Sequence, residues 1–400
     1  MAELAIKGGQ ALRTRPFPKW PVVTEDEINA VMKVVESGQW GHVFTEQAER
    51  FCDRYAEYHG VDYAIPVSNG STALEVALRN AGIGPGDEVI TPPSTWVATN
   101  LAPLIVGADV VFVDVLPDTY CIDPDRIEEA ITGRTRAVIP VHIGGYLCEM
   151  DRIMEIATEH DLVVIEDCAQ AHGSRYKGQV VGSIGHFGCF SFEKSKLITA
   201  GEGGMVTTNE ESLADFAFGI LGVEGRQGER LADGRINIGW NYRMTEFQIA
   251  VLLAQLDRFD EQREKRIDNA EYLKLRLAAI DGTEPLHQSP EQNYYSYIFK
   301  YDATRFDDVP KQRFMAALEA EGIPLFSSPS HQHPAYRSPK FHWPGKNYDD
   351  VFCPVTERAF EQEAIGFPGT WMLLGEREDM DDIVNAILKI RENIEELVSS

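Results

Sequence analysis

The chain reads as an α/β protein carrying a smaller α+β domain at its C-terminal end, and three observations predict this. Between Val61 and Asn209, short apolar, β-branched runs alternate with stretches of helical pattern. Those runs lack the polar alternation of a half-solvated sheet, so helices are expected on both faces of a mainly parallel sheet. Beyond about Leu256 the rhythm stops, and a long charged helical stretch leads into a strand and further helices. At 400 residues the chain is longer than one ordinary core serves. The expected division is 1–255 for the large domain, N-terminal segment included, and 256–400 for the small one.

The elements follow in order. Thr24-Glu25-Asp26-Glu27 is a capping-box pattern; Ile28, Val31 and Met32 continue it as a helical stripe, and Gly38 ends it. Strands are expected at Asp87 to Ile90, Val110 to Val113, Ala137 to Val141, Leu162 to Ile165, Gly188 to Phe192 and Met205 to Thr208. Helices such as Ser71 to Asn80, Asp125 to Thr132 and Met150 to His160 cover them. Gly222 to Gly239, rich in glycine and charge, reads as a surface loop. In the last third, Asp257 to Ala279 reads as helix, Tyr294 to Tyr301 as strand and Val309 to Gly322 as helix. Ser327 to Pro344 is expected to be a loop, and Asp379 to Leu397 has amphipathic spacing.

Composition narrows the function classes. With 44% hydrophobic and 25% charged residues, the balance is that of a soluble globular protein. No stretch approaches a membrane span. Met1 to Gln10 lacks the apolar core of a secretory signal, so the cytoplasm is the expected location. The six cysteines stand singly, as expected of reduced, mostly buried thiols. A net charge of −26 repels nucleic-acid phosphates and argues against a DNA or RNA partner. It opposes anionic substrates only weakly, because salt screens that field beyond about 8 Å.

The chemistry centres on Lys196 and Asp167. Asp167 closes an apolar strand, and Lys196 follows in the glycine-rich turn Ser191-Phe192-Glu193-Lys194-Ser195-Lys196 through Gly201-Glu202-Gly203-Gly204. A lysine in a polar turn is ordinarily just solvated. Paired with a carboxylate at a strand end, it fits pyridoxal 5'-phosphate: the lysine condenses with the aldehyde as a Schiff base and the anion faces the protonated pyridine nitrogen. Ligands belong at the carboxyl ends of such strands. Ser68-Asn69-Gly70-Ser71-Thr72 opens a helix, where backbone N–H groups and hydroxyls can receive a phosphate dianion, or serve as a plain helix cap. Trp96 follows another strand and can stack on a ring or pack in the core. Gln170 and His172 lie just past Asp167, with Gln170 the better placed to reach a ring oxygen. His331-x-His333 with His342 nearby lacks a carboxylate or cysteine at ligand spacing, and no metal site is expected there.

Taken together, Ser-Asn-Gly-Ser-Thr-Ala-Leu, Ser-Thr-Trp, Glu-Asp-Cys-Ala-Gln-Ala-His-Gly, the lysine segment and Gly239-Trp240-Asn241-Tyr242-Arg243-Met244-Thr245-Glu246 resemble the DegT/StrS family of sugar aminotransferases from about Pro16 onward. The resemblance implies fold-type I architecture, with a mainly parallel seven-stranded sheet. It also implies that Lys196 carries the cofactor, that Asp167 faces the pyridinium and that Gln170 contacts the ring hydroxyl. Trp96 would stack on the ring, while Ser71, Thr72 and Ser191 would bind phosphate. Asn241 would reach the cofactor phosphate of the neighbouring subunit in a homodimer with shared sites. The implied reaction moves an amino group from L-glutamate or L-glutamine to a ketone on a sugar or cyclitol, with Lys196 as the acid and base between the halves. Relatives with histidine in place of the lysine catalyse dehydration, and Lys196 argues against that branch.

Asp118 to Pro124 and Lys196 to Gly201 look most like relatives acting on keto-cyclitols. Nucleotide-linked keto sugars are the alternative, with Arg226, Arg230 and Arg235 as partners for a diphosphate. Other readings are a lyase or dehydratase using the same cofactor, and a non-catalytic regulator that keeps the fold. A nicotinamide dehydrogenase is disfavoured, because no Gly-x-Gly-x-x-Gly opens a helix near the start. Tyr294, Tyr295 and Tyr297 precede or open the small-domain strand, placed either to meet substrate hydroxyls or to pack an interface.

Overall fold

A computed structural model describes residues 3–41, 45–211, 214, 240–326 and 333–398. The arginines of the Gly222 to Gly239 loop, and His331, lie outside the described residues.

The first helix, α1 (Glu25–Ser37), starts on the expected capping box and stops at Gly38, which adopts the left-handed conformation at φ 68°. Helix α2 (Glu46–His59), unforeseen in the sequence, leads to strand β1 (Tyr63–Val67). Then come α3 (Gly70–Asn80), β2 (Glu88–Thr91), α4 (Val97–Ile105), β3 (Asp109–Phe112), α5 (Pro124–Ala130), β4 (Thr135–Val138), α6 (Met150–Glu159) and β5 (Val163–Asp167). A short hairpin, β6 (Arg175–Tyr176) and β7 (Gln179–Val180), precedes β8 (Phe187–Ser191) and β9 (Gly204–Thr208).

The central sheet has seven strands in the order β1-β9-β8-β5-β4-β2-β3. Only β9 runs against the rest, pairing antiparallel with both β1 and β8. This is the seven-stranded, mainly parallel sheet that the resemblance implies. Strand β1 escaped the sequence reading because Pro66 interrupts it; proline is tolerated there because β1 lies at the sheet edge, where one side of the backbone needs no ladder partner.

Two-sided burial is visible residue by residue. Ile90, Val138 and Val164 pack into one hydrophobic cluster, and their neighbours Val89, Ala137 and Ile165 into another with Ala73, Leu74 and Ala77 of α3. Successive strand side chains thus enter opposite cores, which is why the runs are apolar throughout.

The C-terminal part is built on a second, antiparallel sheet in the order β10 (Thr283–Pro285), β11 (Ser296–Tyr301), β12 (Ala364–Pro368). The helices Phe259–Leu277, Lys311–Ala320 and Arg377–Glu392 cover it, their Leu273, Phe314 and Ile387 joining one core with Phe299 and Phe367. The N-terminal segment lies on this part of the molecule: Arg13 pairs with Asp379 at 2.8 Å and Asp382 at 2.6 Å, and Leu4 and Phe17 enter the same core. Among the described residues no helix is long and apolar enough to cross a membrane.

Candidate active site

The carboxyl ends of the central strands open into a cavity of about 620 Å³ whose walls include Ser71, Trp96, Asp167, Gln170, Ser191 and Lys196. Each is placed by the turn that follows its strand.

The turn between β1 and α3 is held by Asn69, whose Oδ1 accepts from Thr72 N at 2.8 Å and from the Thr72 hydroxyl at 3.1 Å. The Thr72 hydroxyl also lies 3.0 Å from Ser68 Oγ; Thr72 is buried and is not part of the cavity wall. Ser71 and Ser191, by contrast, both line the cavity. Two glycines let these segments touch: a Cβ on Gly70 would stand 2.7 Å from Ser191 Cβ, and one on Gly204 would stand 2.5 Å from the Asn69 carbonyl oxygen. The start of α3 is therefore drawn against Ser191 of β8 more closely than any residue with a Cβ at position 70 would allow.

Asp167 ends β5 and is buried, with its backbone tied to Pro140 O at 2.9 Å and to His142 N at 3.2 Å. Its Oδ2 accepts from the Thr99 hydroxyl at 2.7 Å and its Oδ1 from Ala169 N at 3.1 Å. Burial pushes its carboxyl above the ordinary range, while these hydrogen bonds and the charge of Lys196 pull it back. Thr99 was not foreseen, although its place one turn after Thr95 at the start of α4 was a readable signal.

The neighbouring Glu166 points the other way and closes a structural knot. It accepts from Gly182 N, Ile184 N and Gly185 N at 3.0, 2.8 and 2.7 Å, and lies 3.2 Å from His142 Nε2. Because Cys148 N donates to His142 Nδ1, the proton of this imidazole sits on Nε2, aimed at Glu166. Burial alone would raise the Glu166 pKa; the His142 contact and the backbone donors outweigh it and hold the group low. With Cys168 these two residues form a buried cluster of metal-ligand types, but the carboxylate is already saturated with N–H donors.

Gln170 is buried and its Oε1 accepts from Gly144 N at 2.8 Å, which leaves the amide nitrogen as its free end. His172 is buried against Phe190 and Phe192 and takes no part in the wall. Trp96, the residue before α4, is 45% exposed, and Lys340 sits 5.1 Å from its ring centroid. Asn241 is exposed and outside the cavity of its own chain. Of the three tyrosines, only Tyr295 lines the cavity; Tyr294 and Tyr297 are core residues.

The lysine loop leaves β8 and returns to β9. Phe192 N donates to Gly203 O at 2.8 Å, and Thr199 N donates to Gln255 Oε1 at 3.0 Å. Trp20 Nε1 donates to Lys194 O and the Thr370 hydroxyl to Ser195 O, at 3.0 and 3.2 Å. The loop is thus closed on itself and clamped from three other parts of the chain. Among the described residues no carboxylate lies within ion-pair distance of Lys196 Nζ, which instead stands 4.6 Å from the centroid of the Tyr295 ring.

The profile of the DegT/DnrJ/EryC1/StrS aminotransferase family matches residues 21–388. The chain belongs to this family. The L-glutamine:2-deoxy-scyllo-inosose aminotransferase of Micromonospora echinospora is 37% identical, over 99% of this chain and 100% of that protein. A provisionally named L-glutamine:3-amino-2,3-dideoxy-scyllo-inosose aminotransferase from the same organism is also 37% identical, over 100% of this chain and 99% of its own. Among solved structures, 3-amino-5-hydroxybenzoic acid synthase superposes with a TM-score of 0.83 at 31% identity, covering 95% of this chain and 100% of that one. DesI, solved with its TDP-sugar product, gives 0.85 at 27% identity, covering 99% and 98%.

As a member of the DegT/DnrJ/EryC1/StrS family, the protein is a fold-type I, pyridoxal-phosphate-dependent aminotransferase. The described residues suit that cofactor. Asp167 is a buried carboxylate whose protein partners are neutral donors, an arrangement that calls for a cation from the cavity, and the start of α3 with the Ser71 and Ser191 hydroxyl residues on the same wall suits an anion.

Proposed function

We propose that the protein transfers the amino group of L-glutamine or L-glutamate to a ring ketone on a cyclitol. The observation that carries this reading is the common cavity of Asp167 and Lys196 at the strand ends, in a chain whose 37%-identical relatives bear scyllo-inosose aminotransferase names. In this reading Lys196 and Asp167 belong to the cofactor, so the charged groups left on the described wall are Glu193 and Glu202 against Lys194. That balance favours an uncharged polyhydroxy ketone over a nucleotide diphosphate.

The bound cofactor supplies an aldehyde and an electron sink. Asp167, whose carboxylate form the Thr99 hydroxyl and Ala169 N favour, would face the ring nitrogen, and Trp96 would stack on the ring. Gln170 would offer its amide nitrogen to the ring oxygen, and Ser71, Ser191 and the start of α3 would hold the phosphate. The role of Thr72 is to shape that turn through Asn69. Lys196, once free of the cofactor, would serve as the base and acid that moves a proton between the halves of the reaction. Asn241 completes the phosphate site of a second copy in a cytoplasmic homodimer. The chain divides near residue 255, with the N-terminal segment attached to the C-terminal unit by the Arg13 ion pairs.

The test is a two-stage assay. Addition of L-glutamine to the loaded protein converts the visible absorbance to that of the pyridoxamine form, and keto-cyclitols then restore it. Restoration by nucleotide keto sugars alone would replace the cyclitol reading with the nucleotide-sugar one, and no conversion by either donor would remove the assignment of the donor.

A further inference from the structure

Tyr295 is held in place from several sides. Its backbone N donates to Gly144 O at 3.0 Å, its carbonyl accepts from Thr370 N at 3.2 Å, and its ring stacks on Phe326 with centroids 5.9 Å apart. Its hydroxyl lies 3.0 Å from Ser195 Oγ, and Ser195 Oγ donates to Glu193 Oε2 at 2.5 Å. The direction of this chain follows from proton counting. An ionised carboxylate only accepts, so the single Ser195 hydroxyl proton goes to Glu193, and the Tyr295 O–H must donate to Ser195. With its proton committed, Tyr295 presents to Lys196 the electron-rich face of its ring, 4.6 Å from Nζ and within the roughly 6 Å reach of a cation–π contact.

We propose that Tyr295 is the docking surface for the Lys196 ammonium whenever that lysine is not joined to the cofactor, with Ser195 and Glu193 fixing the angle of the ring. The proposal rests on Lys196 being the cofactor lysine. A released lysine on a flexible four-carbon stem would otherwise wander. Docked on Tyr295, it stays at the wall of the cavity. Tyr295 is therefore a positioning residue. Asp167 and the buried His172 feel the charge of Lys196, and Glu193, Lys194 and Glu202 share its cavity wall.

The test uses the full-length protein in its pyridoxamine form, reductively methylated with 13C-formaldehyde, with the Lys196 resonance identified by its loss in Lys196→Arg. In Tyr295→Leu the pH midpoint of that resonance falls by about half a unit to one and a half units, as expected for removing a cation–π contact. In Tyr295→Phe, which keeps the ring, it stays close to that of the unsubstituted protein. Equal midpoints in Tyr295→Leu and the unsubstituted protein would overturn the proposal. So would equal falls in Tyr295→Phe and Tyr295→Leu, which would assign the effect to the hydroxyl. Borohydride reduction of the loaded protein and peptide mapping separate the two levels. A label on Lys196 with no shift in Tyr295→Leu sinks the dock alone, and a label on another lysine sinks the underlying assignment with it.

Discussion

Thr99 donates its hydroxyl to Asp167 Oδ2 across 2.7 Å, from the first turn of α4 to the last residue of β5. Asp167 is buried among neutral donors, and burial raises its pKa above the ordinary 3.8. Between those two values the folded protein without cofactor binds more protons than the unfolded chain, so Asp167 makes its stability fall as pH rises through that window. Asp167→Asn removes the buried charge. The cofactor-free variant is therefore expected to unfold at a higher temperature than the cofactor-free parent at pH 8, with the gap closing toward pH 4. The same variant loses activity, because the ring nitrogen has no anion to face. Parallel thermal melts across pH check the first statement, and a lower melting temperature at pH 8 would contradict it.

Gly70→Ala places a methyl 2.7 Å from Ser191 Cβ, a contact between two backbone-anchored carbons that no rotamer relieves. The β1–α3 turn must then lift away from β8, opening the phosphate site. Cofactor affinity is expected to fall by tenfold or more, about 1.4 kcal/mol, in a chain that still folds. Fluorescence titration of the cofactor-free variant measures it; unchanged affinity would show that the turn does not hold the phosphate.

Ser71 and Thr72 separate by geometry. Ser71→Ala removes a hydroxyl from the cavity wall and is expected to weaken cofactor binding with little effect on unfolding. Thr72→Ala removes a hydroxyl bonded to Asn69 and is expected to lower stability by about 1 kcal/mol while sparing affinity more than Ser71→Ala does. Urea unfolding and cofactor titration on the two variants should give opposite orders.

Asn241 is exposed and off its own cavity, so a shared-site dimer makes a mixing prediction. Lys196→Ala and Asn241→Ala dimers are each impaired. Dissociated together and re-associated at random, they form hybrids in which one of two sites is intact, recovering roughly a quarter of the parent activity by symmetry. If mixing restores nothing, each subunit works with its own residues alone.

Much of the site was legible because its signals are local. An apolar strand ending in Asp167, a glycine-flanked Lys196 and a helix opened by Asn69-Gly70-Ser71 each declare themselves within a few residues, and β-branched runs without alternation declare a sheet covered on both faces. The chain order of these motifs was enough to choose the cofactor. Other features depend on residues far apart in the chain. Thr99 meets Asp167 across 68 positions, Tyr295 meets Ser195 across 100, and Arg13 meets Asp382 across 369. Pro66 hid β1 because its tolerance depends on the strand lying at an edge, which is a property of the sheet. Thr72 looked equivalent to Ser71 in a linear motif, and only the path of the turn sent its hydroxyl to Asn69 instead of the cavity. Side-chain type and spacing thus determined which chemistry the chain can hold. Packing decided which hydroxyl, ring or carboxylate reaches it, because each such choice is made by a neighbour that chain order does not place.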